Sequence, residues 1–447
     1  MPRYEFTEGS SSKFWEITLE GTTLTKRWGR IGTDGQEKVE EFDSKAEAKK
    51  AYDSQIREKE GKGYTLAEGG DSDGGEATAE SAVNPDLEAA ILAKPDDVKG
   101  YLAYAEWLKG EGDPRAELIL LQHSALDAPA ATRKKVAKLI EDHANELLGE
   151  SLMEAVSDET LKLEWHLGFI REARLGQVDY DSTADIPDLL AELLAHPSAR
   201  FLSRLTLGMA SFDGENDYDE TLAVLAKAKP APPLRSLFIG DFEFPDETEI
   251  SWTQVGDLKP LYKVYPQLQE LRVRGGEIGF GKIDLPELRS FTVETGGLHE
   301  GAVKEIVKAK WPKLESLEIW FGQENYGASG GVKELKPLLD AEGVPALRKL
   351  GLRNSEFTDE LCAALPKSKI LAQIEELDLS MGTMSDAGAD TLAQNAKAFA
   401  HLKTLDVTQN FLTKAGQKTV ANVAKSVASG NQRTPYDEES RYAAVGE

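Results

Sequence analysis

Between residues 202 and 412 apolar side chains recur at offsets 0, 3 and 5, usually with another at 10. The copies read Leu202-Leu205-Leu207-Phe212, Leu234-Leu237-Ile239-Phe244 and Leu268-Leu271-Val273-Ile278. They continue as Leu288-Phe291-Val293-Leu298, Leu314-Leu317-Ile319, Leu347-Leu350-Leu352-Phe357, Ile374-Leu377-Leu379-Met384 and Leu402-Leu405-Val407-Leu412. Ile170-Ala173-Leu175-Tyr180 reads as a degenerate first copy. Starts lie 20 to 34 residues apart, and the intervals carry helical patterns such as "SDAGADTLAQNAKAF" and "HEGAVKEIVKAKW". Apolar positions two apart predict a short strand, and the segment after it a helix. A unit that cannot bury its own apolar face must stack on its neighbours, so residues 160–428 are expected to form a strand–helix solenoid.

Upstream the periods change. "KFWEITLEG" alternates apolar and polar residues, "TLTKRWGRIG" supplies a second strand and "QEKVEEFD" a third. Asp43 or Ser44 then caps a helix over "SKAEAKKAYDSQIREKEGKG", with Ala51, Tyr52 and Ile56 on its apolar side. Residues 1–66 therefore predict a small antiparallel sheet backed by one helix. Residues 67–83, "AEGGDSDGGEATAESAV", have no apolar period and read as a flexible acidic linker. Residues 84–150 place Leu87, Ile91, Leu102, Ala105, Leu108, Leu118 and Leu121 at helical spacing, broken at Pro95 and "GEGDPR". The stretch 429–447 again lacks a period and is expected to be a disordered tail.

Three resemblances rest on these residues. The order of elements and the literal "WGRIGTDGQ" resemble the WGR domain of poly(ADP-ribose) polymerases and of many bacterial proteins. The run "KPDDVKGYLAYAEWLKGEGDPRAE" is similar to the short repeat-companion domain attached to bacterial repeat proteins. The third segment resembles long leucine-rich repeats with a full helix, and the last copy keeps the family's asparagine at Asn410. The fold class expected is thus multidomain α+β and α/β: a WGR domain, a helical domain and a leucine-rich repeat solenoid.

Composition narrows the chemistry. The 447 residues carry a formal net charge of -26, which repels nucleic acid at long range, so any contact with it must be local. No apolar run approaches the roughly 20 residues needed to cross a bilayer, and the N-terminus has no apolar signal core, so a cytoplasmic location without membrane contact is expected. Cys362 is the single cysteine, which excludes an internal disulfide and a thiolate zinc site. The six histidines are not paired at ligand spacing, and no GxSxG, HExxH, P-loop or GxGxxG stands in its required context. Cys362 in "TDELCAAL" is expected as packing, and Asp96 and Asp97 as helix caps. With the rest of the chain assigned to repeats, no room remains for a polymerase domain. No catalytic residue, metal or cofactor is expected.

Binding is the remaining class. The WGR resemblance implies that Trp28 and Arg30 meet a nucleic-acid end, with Lys26 and Arg27 as phosphate contacts. Residues 1–66 hold 12 Lys and Arg against 13 Asp and Glu, so such a patch is small. On the repeats, offsets 2, 4 and 6 point away from the leucines onto the concave face. They place Phe238, Arg272, Arg274, Glu318, Trp320, Arg353, Asp378 and Asp406 there, running from basic to acidic. Aromatic and arginine side chains anchor protein interfaces. The preferred expectation is a bacterial interaction or scaffold protein that binds a protein partner on this face, with the WGR module as a second contact. The alternatives are a DNA- or RNA-end sensor acting through the WGR module, and a target of a protease cutting the linker.

Overall fold

A computed structural model describes residues 3–8, 11–31, 33, 35–42, 48, 49, 51, 52, 55, 56, 59, 62, 64–66, 83–125, 130–435 and 440–447. The chain divides into two compact units, Met1–Ser81 and Ala82–Glu447. The expected linker at 67–83, and with it the expected scission site, lies outside the described residues except for Val83, as do the expected caps Asp43 and Ser44.

In the first unit the strands are β1 (Arg3–Glu8), β2 (Ser11–Glu20), β3 (Thr23–Arg30), β4 (Gln36–Glu41) and β5 (Thr65–Leu66), in the sheet order β4-β3-β2-β1-β5. The alternation in "KFWEITLEG" anticipates β2, whereas β1, with Tyr4 and Phe6 alternating, was not anticipated. Tyr4, Trp15, Ile17 and Leu24 are buried on one face, with Ala51, Tyr52, Ile56 and Tyr64 packed against them. Phe14 is buried on the opposite face. Its ring explains two glycines: a Cβ on Gly29 would lie 3.2 Å from the ring, and one on Gly35 only 2.7 Å away.

The second unit opens with five helices, Pro85–Ala93, Val98–Glu111, Arg115–Ala125, Ala130–Asp142 and Ala144–Ser157. Asn84 and Asp97 cap the first two, Asp97 accepting from the Lys99 N–H at 3.0 Å. Asp96 does not cap. It pairs instead with Arg171 at 3.0 Å and faces Arg235 at 3.8 Å. The helices were expected as a domain of their own, but their core is continuous with that of the repeats. Ile91, Tyr101, Tyr104, Leu108 and Ile119 pack with Leu167, Phe169 and Phe201, while Leu118, Leu147 and Leu152 join the core of the repeats. The helices bury the apolar end that a first repeat would otherwise expose.

Next come β6 (Leu161–His166), β7 (Phe169–Leu175), β8 (Arg204–Leu207), β9 (Asn216–Asp217), β10 (Ser236–Ile239), β11 (Thr253–Asp257), β12 (Glu270–Arg274) and β13 (Gly276–Gly279). The chain continues through β14 (Ser290–Glu294), β15 (Ser316–Gly322), β16 (Lys349–Ser355), β17 (Glu376–Asp378), β18 (Thr404–Asp406) and β19 (Val427–Ala428). Eleven strands form one sheet, β19-β18-β17-β16-β15-β14-β12-β10-β8-β7-β6, parallel from β7 onward. A smaller parallel sheet joins β9, β11 and β13.

The register aligns the offset-3 residues in one row: Ala173, Leu205, Leu237, Leu271, Phe291, Leu317, Leu350, Leu377 and Leu405. Each is buried, and burying a Leu or Phe contributes roughly 1.5–3 kcal/mol. A slip of one residue would move a strand's member of the row to the other face. Asn410 is fully buried and ties the last turn. Its amide donates to the carbonyls of Leu379 and Val407 at 2.9 and 3.1 Å and accepts from the Met384 N–H at 2.9 Å.

The C-terminal stretch departs from expectation. Residues 427–428, the end of the expected solenoid, form the edge strand β19. Within the stretch 429–447 expected to be disordered, however, residues 440–447 lie against the sheet with Ala443 and Val445 buried. Their apolar content is too low to show a period, yet the sheet supplies hydrogen-bond partners for their backbone.

Candidate binding surfaces

In the first unit the cluster read from "TKRWGR" separates onto two faces. The β2–β3 register sets Trp28 opposite Trp15, Lys26 opposite Ile17 and Arg27 opposite Glu16. Side chains alternate along a strand, so Lys26, Trp28 and Arg30 share one face and Arg27 occupies the other. There Glu16, itself buried, takes Arg3 at 3.0 Å and Arg27 at 2.9 Å, and both guanidinium groups lie over the Phe14 ring. Arg27 is thus tied to Glu16 on the face opposite Trp28, its side chain still 41% exposed.

Lys26 is engaged as well. Its ammonium group donates to Glu40 at 2.7 Å, with Lys38 on the other oxygen at 2.5 Å. These hydrogen bonds, Lys26 first, hold the Glu40 carboxyl down at about 2. What remains open is Trp28, 37% exposed, and the exposed Arg30 beside it. Lys13, also exposed, stands opposite Arg30 in the register and completes a two-cation tip. Sequence spacing missed Lys13 because it lies on the preceding strand.

On the repeats the expected basic-to-acidic gradient is cancelled internally. Glu294, buried, lies 2.7 Å from Arg272 and 2.5 Å from Arg274. Arg272 covers the half-buried Phe238 ring at 4.2 Å. Arg353 pairs with Glu318 at 2.5 Å and Asp378 at 3.2 Å, and lies over the Trp320 ring at 5.0 Å. The Trp320 indole donates to Glu318 at 2.8 Å. Burial raises the Asp378 carboxyl above its ordinary range. Asp406 stands beside Asp378 in the register, half-buried. Parallel pairing brings residues about 30 positions apart side by side, so the acids intercept the arginines. Trp320 is also half-buried against a cluster of Met209, Phe242, Ile250, Met381 and Val445.

The exposed aromatics lie elsewhere, in segments that come after the strands. Tyr180 after β7 is 79% exposed and its ring lies 5.0 Å from Phe212 after β8. Phe244 and Trp252 come after β10, and Trp252 is 65% exposed. Parallel strands deliver the segments that follow β7, β8 and β10 to the carboxyl end of the sheet. By topology these residues belong to one aromatic rim, with a ring contact between Tyr180 and Phe212. Tyr180, Phe212 and Phe244 are the offset-10 positions of their repeats, read there as apolar positions of the stack, and Trp252 has no periodic position.

The single cysteine is withdrawn from solvent. Cys362 is fully buried, and burial pushes its thiol well up. Among the described residues no cluster of His, Cys, Asp and Glu could hold a metal ion, and no helix is long and apolar enough to cross a membrane.

Comparison with known proteins places these surfaces in context. A crystal structure of a Bacteroides fragilis protein aligns over 100% of this chain and 99% of its own, with 22% identity and a TM-score of 0.55. That likeness concerns the fold alone. An internalin of Listeria monocytogenes aligns over 56% of this chain and 65% of its own, with 17% identity and a TM-score of 0.29, too low to carry weight. Curated proteins gave no match. The family match covers the first unit and runs slightly beyond the expected boundary at residue 66: residues 2–71 are a WGR domain.

Proposed function

We propose that this chain is a non-enzymatic interaction protein. Its strand–helix stack is a leucine-rich repeat solenoid that binds a protein partner, and its WGR domain supplies a second contact. The observation that carries this reading is the aromatic rim: Tyr180 and Trp252, 79% and 65% exposed, at one end of a rigid parallel sheet. Large aromatics on a fixed scaffold are the residues that dominate association energy. The strand face next to it, with each arginine paired to an acid, contributes shape and a polar border more than net charge. The helices at 85–157 serve as the companion cap of the repeats.

Because Tyr180 and Trp252 are open to solvent, replacing both with Ala leaves the core intact. Crosslinking capture with wild type and the Tyr180→Ala, Trp252→Ala variant tests the reading. The expected result is a partner retained by wild type and lost by the variant. Equal recovery removes the rim from consideration.

A second reading, recognition of a nucleic-acid end, is favoured by Lys13, Trp28 and Arg30 sharing one open tip. An indole face with two cations suits a sugar and its phosphates. Binding of the full chain to a nicked duplex at low salt should fall with Trp28→Ala and Arg30→Ala. No binding at low salt excludes it.

A further inference from the structure

Residues 443–446 are held by the sheet as a ligand is held. Ala443 accepts a hydrogen bond at its carbonyl from Gln323 Nε2 at 3.0 Å, and the Ala444 N–H donates to the Met381 carbonyl at 2.8 Å. Val445 donates to Asn354 Oδ1 at 2.8 Å and accepts from Asn354 Nδ2 at 2.7 Å. Three successive residues are thus read through main-chain groups that any extended peptide carries. Side-chain selection is limited to small shapes. Val445 is buried in the cluster with Met209, Phe242, Ile250 and Met381. A Cβ on Gly446 would lie 2.6 Å from Gln323 Cδ, and one on Gly296 only 1.9 Å from the Gly446 carbonyl oxygen. Chain passes here because both positions are glycine.

We infer that this is a peptide-binding groove occupied in cis, at the carboxyl ends of β14 to β17. Its partner in trans is an extended segment of another protein with two small residues, a β-branched aliphatic residue and a glycine. The inference rests on the reading of the chain as a protein-binding molecule and names the site and the chemistry it takes. The cis segment fills the groove with Ala443, Val445 and Gly446 and leaves Tyr442, 50% exposed, in solvent. An occupied groove lowers the apparent affinity for a partner by the fraction of time it is filled. Emptying it should therefore raise affinity without any new contact.

Fluorescence anisotropy with a labelled peptide Ser-Arg-Tyr-Ala-Ala-Val-Gly-Glu, the sequence of residues 440–447, tests this. Full chain, full chain with Val445→Asp, and chain lacking residues 440–447 are compared. Both altered proteins should bind at least ten-fold more tightly than wild type. Asn354→Ala in the shortened chain should weaken binding at least ten-fold, and a peptide carrying Val445→Asp should not bind. Absence of binding to both altered proteins, with circular dichroism and thermal unfolding like wild type, overturns the inference. So does equal binding of the Val and Asp peptides. A mixed dimer of wild-type and shortened chains would make a second copy the occupant and overturn the partner assignment. None of these results bears on Tyr180 and Trp252, whose capture experiment stands or falls separately.

Discussion

Asn354 and Val445, 91 positions apart, exchange two hydrogen bonds at 2.7 and 2.8 Å, the asparagine amide acting as one rung of a sheet for the valine main chain. Asn354 is fully buried and has φ +52, a left-handed conformation that Asn tolerates better than most residues. Its place at the end of β16 points its amide along the sheet's carboxyl end, where residues 443–446 pass.

Asn354→Ala leaves a buried N–H and C=O of Val445 without partners, a cost of roughly 1–3 kcal/mol. Hydrogen exchange should report the loss at Ala444 and Val445, while Ile319 in β15 keeps its protection. Asn354→Gly separates the causes. It accepts the left-handed backbone, so it should restore global stability relative to Ala without restoring protection at Val445.

Glu294 is the one carboxylate shared by Arg272 and Arg274. Breaking a buried pair from one side is costly, and the 43% exposure of the Arg272 side chain moderates it. Glu294→Ala is expected to lower stability by about 2 kcal/mol on these grounds, read by urea denaturation. A cost below about 0.5 kcal/mol would place the pair among ordinary surface ion pairs.

Within the WGR motif the glycine should matter more to folding than the tryptophan. A Cβ on Gly29 meets the Gly35 backbone at 2.8 Å and the Phe14 ring at 3.2 Å, and overpacking of that kind costs roughly 1–3 kcal/mol. Trp28 is 37% exposed. Calorimetry of the full chain should show Gly29→Ala lowering the transition of the first unit further than Trp28→Ala does. The opposite order would make Trp28 a core residue.

His196 supplies a pH dependence. Burial, followed by the charges of Arg115 and Arg200, lowers it to about 4, and its Nδ1 accepts from the Ser198 N–H at 3.2 Å. The unfolded chain binds this proton near pH 6.5 and the folded chain only near 4. Stability is therefore unaffected above about pH 6.5 and falls as pH drops toward 4, by up to one proton's slope. His196→Gln should flatten this window in unfolding measured from pH 7 to 4. An unchanged slope would assign the dependence to other groups.

Much of the fold was legible because it repeats. The row from Ala173 to Leu405 comes directly from offsets that recur along the chain, and β2 to β4 come from alternation and glycine turns. Strand β1 was missed although Tyr4 and Phe6 alternate in it, and the continuity of Tyr101 and Ile119 with Phe169 was not legible, being a contact between non-repeating segments. Of the candidate site residues, Trp28 and Arg30 are open as expected. Lys26 is not, because Glu40 reaches it across strands, and Arg27, although 41% exposed, is paired with Glu16 on the other face. Tyr180 reads as an offset-10 apolar position, whereas it is 79% exposed. Trp252, in a segment without a period, and Asn354, a polar residue at the end of β16, carried no signal.

By itself the sequence determined the strand rows, the side of each strand that is buried and the identity of the WGR motif. Those depend on spacing, and spacing is local. Tertiary structure alone decided which charges are free and where residues 443–446 run. Both depend on partners tens of residues away: an arginine's availability is set by the carboxylate opposite it, and a period-free segment orders only where another part of the chain offers its backbone hydrogen bonds and room for a glycine.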